Sequence, residues 1–108
     1  MRLYLSGPMT GIPNNNFEEF DKAAKLLRDK GYEIVNPAEL DGSETGLTWE
    51  ACLKRDLKVM LDCDGLMLLD GWHKSAGAQL EFLVGTRVGL KFYFFDNYLK
   101  GVYKDALH

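Results

Sequence analysis

Glu81 has the sequence setting of a reactive carboxylate. Gly77 lies four residues before it and Gly85 four residues after it, so helical spacing puts all three on one face. Each glycine costs a helix about 1 kcal/mol relative to alanine, so a helix that keeps both has a packing or binding reason. A carboxylate near a positive helix N-terminus is favoured in its ionised form, which suits a nucleophile. The alternative is that the glycines only allow close packing and that Glu81 is a solvated charge.

Ser75 is the predicted N-cap of the same helix, six residues before Glu81. Accepting a hydrogen bond from the helix backbone is the ordinary role of a serine there. The free N–H groups of Ser75, Ala76 and Gly77 would also form an anion site able to hold a phosphate. The two roles are compatible.

Tyr4 and Asp56 have structural interpretations when each is considered alone. Tyr4 lies within a predicted strand, where a tyrosine usually belongs to the core. Asp56 lies on the polar side of a predicted helix, where an ion pair with Lys54 or Arg55 would be ordinary.

Several common signatures are missing from the sequence. No G-x-G-x-x-G or P-loop pattern is present, and Ser6 and His73 lack a third member for a hydrolytic triad. Cys52 and Cys63 are eleven residues apart with no C-x-x-C pair, which favours free thiols over a disulfide or metal framework. We therefore expect neither a metal nor a cofactor.

The apolar pattern predicts strands and helices in alternation. Strands are predicted at residues 3–6, 32–35, 65–69 and 91–95, helices at 17–30, 48–62, 75–88 and 97–107, and a polar connection at 38–47. The third strand is apolar nearly throughout, as in parallel strands covered on both faces. This order predicts an α/β fold: a small doubly wound, Rossmann-like or flavodoxin-like parallel sheet of four to five strands flanked by helices, with residues 1–108 as a single domain.

Three loops should meet where such sheets bind ligands, beyond the carboxyl ends of the strands. They are Gly7–Asn16, Asn36–Thr48 and Asp70–Lys74. Trp72 in the third loop is able to cover a nucleobase. We expect the functional site at this edge of the sheet.

Composition narrows the class of partner. With 108 residues, 46% of them hydrophobic, and a net charge of −3 with dispersed cations, the chain suits one site for a small molecule better than a surface for long nucleic acid. No segment reaches the roughly 18 apolar residues of a membrane span. The first residues are typical of a strand and not of a secretory signal, so a cytoplasmic location is expected.

Three segments, in this order, resemble the nucleoside 2-deoxyribosyltransferase superfamily. They are Tyr4-Leu5-Ser6-Gly7-Pro8-Met9-Thr10-Gly11, Asp56-Leu57 followed by Asp64-Gly65-Leu66-Met67, and Ser75-Ala76-Gly77-Ala78-Gln79-Leu80-Glu81. The likeness spans roughly residues 3–95 and is greatest to a short branch, often encoded by phages and related to 2′-deoxynucleoside 5′-phosphate N-hydrolases.

The resemblance implies a role for each matching residue. Glu81 would attack the anomeric carbon, Tyr4 would position that carboxylate, and Asp56 would contact the base or sugar. Ser75 matches relatives that accept a 5′-phosphate. The implied substrate-binding residues are Ser6, Gly7, Pro8, Met9, Thr10, Gly11, Trp72, Ser75 and Gly77.

The resemblance also implies a homodimer or larger assembly whose partner chain completes each pocket, with Tyr98, Tyr103 or the C-terminal segment as candidate contacts. The hypothesis is an N-glycosidase or deoxyribosyltransferase that acts on a nucleoside or its 5′-monophosphate. Hydrolysis and transfer stay open, since they differ only in the acceptor. The alternatives are a nucleotide-binding protein without catalysis and an unrelated structural or interaction domain.

Overall fold

A sheet of four parallel strands forms the centre of the protein. The computed structural model describes residues 1–41 and 48–103, and its strands are β1 (Arg2–Ser6), β2 (Glu33–Val35), β3 (Gly65–Leu68) and β4 (Lys91–Phe94). The helices are α1 (Phe17–Asp29), α2 (Pro37–Asp41), α3 (Trp49–Met60), α4 (Ala76–Arg87) and α5 (Phe95–Leu99). The strand order is β2-β1-β3-β4, so the predicted α/β class with a parallel sheet is confirmed.

Strand β1 divides the core into two layers, because successive side chains of a strand point to opposite faces. Leu3 and Leu5 pack with Phe20 and Leu27 of α1 on one face. On the opposite face Tyr4 lies in a cluster with residues from α3 and α4. This second face is the one that carries the candidate site.

Helix α1 begins directly after three asparagines with left-handed backbone. Asn14, Asn15 and Asn16 have φ values of 55°, 52° and 61°, a conformation that asparagine tolerates better than most residues. Asn16 occupies the N-cap position of α1, but its side chain makes no cap hydrogen bond. The side-chain NH₂ donates to the carbonyl oxygen of Pro8 at 3.0 Å. The loop after β1 is thereby tied to the start of α1.

Helix α2 corrects the prediction of a polar connection throughout residues 38–47. The Asn36 side chain accepts a hydrogen bond from the N–H of Ala38 at 3.1 Å, and Pro37 takes the first helical position, where its missing N–H is not needed. The Asn36-Pro37 pair therefore ends β2 and also begins a short helix. Residues 42–47 of the predicted connection lie outside the described residues.

Helix α5 is shorter than the predicted closing helix. It ends at Leu99, and Gly101 follows with φ of 79°, a left-handed conformation that stops a helix at little cost in glycine. Residues 104–107 of the prediction lie outside the described part of the chain. None of the helices in the described ranges has the length and apolar character that crossing a membrane requires.

Candidate active site

Glu81 of α4 is buried over the sheet, where two side chains of β1 hold its carboxylate. It is 7% exposed. The Tyr4 hydroxyl donates to Oε2 at 2.6 Å, and the Ser6 hydroxyl donates to Oε1 at 2.7 Å. Glu81 is therefore not the solvated charge of the alternative interpretation.

Burial raises the pKa of Glu81 from 4.5 to about 7. The hydrogen bonds from Tyr4 and Ser6 lower this pKa, and the charge of Asp56 raises it further, but loss of hydration is the largest effect. The expectation that the helix N-terminus keeps Glu81 ionised is corrected here. Glu81 lies beyond the first turn of α4, where the helix dipole has little effect, so its two protonation states have similar populations near neutral pH.

Tyr4 is suited to hold this carboxylate because it stays protonated. Burial, first, and then the charges of Glu81 and Asp56 raise its pKa well above 10. A neutral phenol donates a hydrogen bond to a carboxylate and keeps its own proton. Tyr4 is therefore a hydrogen-bond donor in every physiological condition.

The carboxylate lies in the wall of a cavity of about 210 Å³. The polar part of the lining includes Tyr4, Thr10, Asn15, Asp56, Ser75 and Glu81. The apolar part includes Met9, Phe20, Pro37, Trp49, Cys52 and Leu53. Such a division suits a small molecule with an apolar part and a polar part.

Most of the residues proposed from the sequence meet at this cavity. The three proposed catalytic residues line it, and so do five of the proposed substrate-binding residues: Gly7, Met9, Thr10, Ser75 and Gly77. They come from β1 and the loop after it, from α3 and from the first half of α4 with its N-cap. The carboxyl edge of the sheet therefore brings together segments that are far apart in the chain.

Four of the proposed substrate-binding residues do not line this cavity. Ser6 lies beneath Glu81 and contacts its carboxylate. Pro8 lines a neighbouring cavity of about 490 Å³, and Gly11 lines neither. Trp72 packs against Phe82 and Phe94, with ring centroids 4.9 and 6.1 Å apart, because the short turn after β3 directs it toward the edge strand β4.

Asp56 both forms an ion pair with Arg55 and lines the cavity. Its Oδ1 accepts hydrogen bonds from Nε and Nη2 of Arg55 at 3.2 and 3.1 Å. The same side chain lines the cavity with Glu81. Since both members of the ion pair are largely buried, Asp56 brings a negative charge to the cavity wall and is not a simple surface partner.

The two glycines of α4 serve different purposes. A Cβ at Gly85 would approach Cδ1 of Leu66 to 2.9 Å, so this glycine allows the helix to lie against the sheet. A Cβ at Gly77 would find only the Ser75 hydroxyl, at 4.0 Å. Gly77 lines the cavity, and a side chain there would enter ligand space. One glycine therefore reflects packing and the other leaves room beside Glu81.

Ser75 caps α4 as predicted. Its hydroxyl accepts a hydrogen bond from the N–H of Ala78 at 3.2 Å, and it also lines the cavity. Within residues 1–41 and 48–103, no group of three His, Cys, Asp or Glu side chains is arranged to hold a metal ion.

Helix α3 contributes more to the cavity than the sequence analysis proposed. Asp56 is the one residue of α3 proposed from the sequence, but Trp49, Cys52 and Leu53 also line the cavity. The four positions follow the spacing i, i+3, i+4, i+7, which places them on one helical stripe. An aspartate at the end of an apolar stripe is the signal in the sequence that this stripe faces a cavity and not the core.

Comparison with known families places these residues in a shared domain. A family model described as "Domain of unknown function (DUF4406)" matches residues 1–94. The chain belongs to the DUF4406 family. The matched range contains all of the residues that line the cavity and ends with β4. No match was found among curated proteins or among solved structures. The DUF4406 description states no activity, so the chemistry has to be argued from the site.

Proposed function

We propose that the protein cleaves or transfers at the N-glycosidic bond of a nucleoside or nucleoside 5′-monophosphate, with Glu81 as the nucleophile. The observation that carries the proposal is a carboxylate in a cavity wall whose two oxygens are held by Tyr4 and Ser6. A nucleophile held in one orientation reacts faster than a mobile one because its entropy is already lost.

The reaction proceeds in two displacements at the anomeric carbon. A carboxylate oxygen of Glu81 bonds to C1′ as the bond from C1′ to the base nitrogen breaks, and the base leaves with the electron pair. Water or a second base then attacks C1′ and releases the Glu81 carboxylate. The proton lost by the attacking group balances the proton taken up by the departing base. Asp56 lies on the same wall and contacts the base or sugar.

The cavity lining supports a nucleoside as the class of substrate. Trp49 and Leu53 offer an apolar surface to a base, while Ser75 and Gly77 lie at the start of α4. A helix N-terminus favours a phosphate. Together with the family resemblance at Ser75, this favours a 5′-monophosphate over a free nucleoside.

Chromatographic detection of free base tests the proposal directly. The protein is incubated with a panel of nucleosides and 5′-monophosphates, and base release is compared among wild type, Glu81→Ala and Glu81→Gln. Both variants are expected to lose activity while they stay folded. Glu39→Gln is the matched control, because Glu39 is an exposed partner of Arg28 and is outside the cavity lining. Base release that persists in folded Glu81→Gln would eliminate Glu81 as the nucleophile.

A second candidate is a nucleotide-binding protein without catalysis, because the cavity lining suits a nucleotide whether or not Glu81 reacts with it. With its pKa raised to about 7, Glu81 is only partly ionised near neutral pH, and the protonated form is not a nucleophile. Such a protein would gain thermal stability from a nucleoside monophosphate without releasing base, and Glu81→Gln would keep the affinity.

We also propose that the protein forms a homodimer through α3 and α4. Leu61 at the end of α3, Leu83 of α4 and Val88 after α4 are 48%, 48% and 58% exposed, and a partner chain that covered them would remove this apolar surface from water. The candidate contacts Tyr98 and Tyr103 also pack within the chain, on Tyr32 and Tyr93 respectively. Sedimentation of wild type and Leu83→Glu tests the proposal: the variant should be monomeric, and a monomeric wild type would refute it.

A further inference from the structure

Ser6 has the geometry of a support for Glu81 and not of a substrate contact. It is the last residue of β1 and is 1% exposed. Its hydroxyl donates to Oε1 of Glu81 at 2.7 Å, and it does not line the cavity. A ligand in the cavity meets Glu81 before it meets Ser6.

The spacing of Tyr4 and Ser6 explains how one strand holds both carboxylate oxygens. Residues two apart in a strand point to the same face and are separated by about 6.6 Å along the strand. The Tyr4 side chain is the longer of the two, and its hydroxyl donates to Oε2 while the Ser6 hydroxyl donates to Oε1. Two donors on different oxygens prevent rotation of the carboxylate about its last bond, which a single donor cannot do.

We propose that Ser6 is a positioning residue, which with Tyr4 fixes the Glu81 carboxylate and favours its ionised form. This inference rests on the proposed function for its role in catalysis, but its physical content does not depend on any substrate. A hydroxyl that donates to a carboxylate stabilises the charged form relative to the protonated form. Removing this donor therefore weakens both the orientation and the acidity of Glu81.

Titration of Glu81 by NMR with ¹³C-labelled glutamate tests the proposal without any ligand. The Glu81 signal is assigned by its absence in Glu81→Gln. In Ser6→Ala the midpoint of the Glu81 titration is expected to rise by about 1 pH unit or more, because one hydrogen bond to a charged group stabilises the ionised form by that amount. Ser6→Thr keeps the hydroxyl and should restore a midpoint close to that of wild type.

Thr86→Val is the matched control for the loss of a hydroxyl. Thr86 also lies on α4, and its hydroxyl donates to the backbone carbonyl of Phe82 at 2.9 Å, with no contact to Glu81. This variant is expected to leave the Glu81 midpoint unchanged. An unchanged midpoint in folded Ser6→Ala would overturn the proposal, whatever the protein catalyses.

Base release gives the second measurement. At neutral pH, a rise of one unit in the pKa lowers the ionised fraction of Glu81 from about one half to about one tenth. Ser6→Ala should therefore lower kcat about fivefold or more, leave KM nearly unchanged and move the acidic limb of the pH profile upward. A higher KM with an unshifted profile would instead show that Ser6 contacts substrate and would overturn the proposal. A raised Glu81 midpoint in a protein that releases no base supports the role of Ser6 and refutes the proposed function. Failure of the Ser6 proposal and failure of the proposed function are therefore distinguishable.

Discussion

Replacing Glu81 by glutamine is expected to stabilise the protein at alkaline pH, although it removes the proposed nucleophile. Glutamine preserves the size of the side chain, and its oxygen still accepts a hydrogen bond from Tyr4. Its NH₂ group donates to the Ser6 hydroxyl, which can accept as well as donate. What the substitution removes is the buried negative charge. The variant therefore reports the cost of ionising Glu81 inside the protein.

The pKa of Glu81 gives the size and the sign of the effect. Below pH 4.5 the carboxyl group is protonated in the folded and the unfolded chain alike. Between pH 4.5 and about 7 the unfolded chain has released this proton and the folded chain has kept it, so stability falls as the pH rises. Since a tenfold change in proton affinity is worth about 1.4 kcal/mol, the full cost above pH 7 is about 3 kcal/mol.

Urea denaturation followed by circular dichroism, between about pH 5 and about pH 8, measures this difference. Relative to wild type, the stability of Glu81→Gln should increase by about 2–3 kcal/mol from the acidic to the alkaline end of this range, because part of the cost of ionisation is already present at the acidic end. Glu39→Gln is the control: the hydrogen bond from Arg28 lowers the pKa of Glu39, so its stabilising effect is complete above pH 4.5 and is lost only in more acidic solution. The free energy of unfolding of Glu39→Gln should therefore change with pH in the same way as that of wild type between about pH 5 and about pH 8. If the free energy of unfolding of Glu81→Gln also follows that of wild type at every pH, the Glu81 carboxylate is solvated and the reasoning about the site is refuted.

Three further outcomes are expected. Base release should increase with pH up to about 7, because Glu81 must be ionised to attack; a rate that is flat from pH 5 upward would contradict this. Gly85→Ala should destabilise the fold by about 1–3 kcal/mol because its Cβ meets Leu66, which urea denaturation would measure. Gly77→Ala should leave the stability equal or slightly higher, but calorimetry should show weaker nucleotide binding. Cys52, which lines the cavity, should react with a thiol reagent, and a bound nucleoside monophosphate should slow the reaction; equal rates with and without it would place the ligand elsewhere.

Local patterns in the sequence were sufficient for the fold class. The apolar run of β3 and the alternation of strands with amphipathic helices predict a parallel sheet, because hydrophobic periodicity reflects which faces an element buries. The two short helices, α2 and α5, were harder to predict from the sequence. Asn36-Pro37 is equally typical of a strand end and of a helix start, and the length of α5 depends on whether Gly101 adopts a left-handed backbone. Elements this short carry too few residues for a periodic signal.

By itself, the sequence determined the candidate carboxylate, since glycines four residues on either side of Glu81 are a local feature of one helix. Only the tertiary structure decided the state of that carboxylate. The contacts that hold it join residues 77 and 75 positions apart, and the burial that raises its pKa comes from several elements at once. Both effects depend on distance and on excluded water, which arise only when the strands and helices are assembled. For the same reason Ser6, a small residue at a strand end, acquires a role that its sequence neighbours do not indicate.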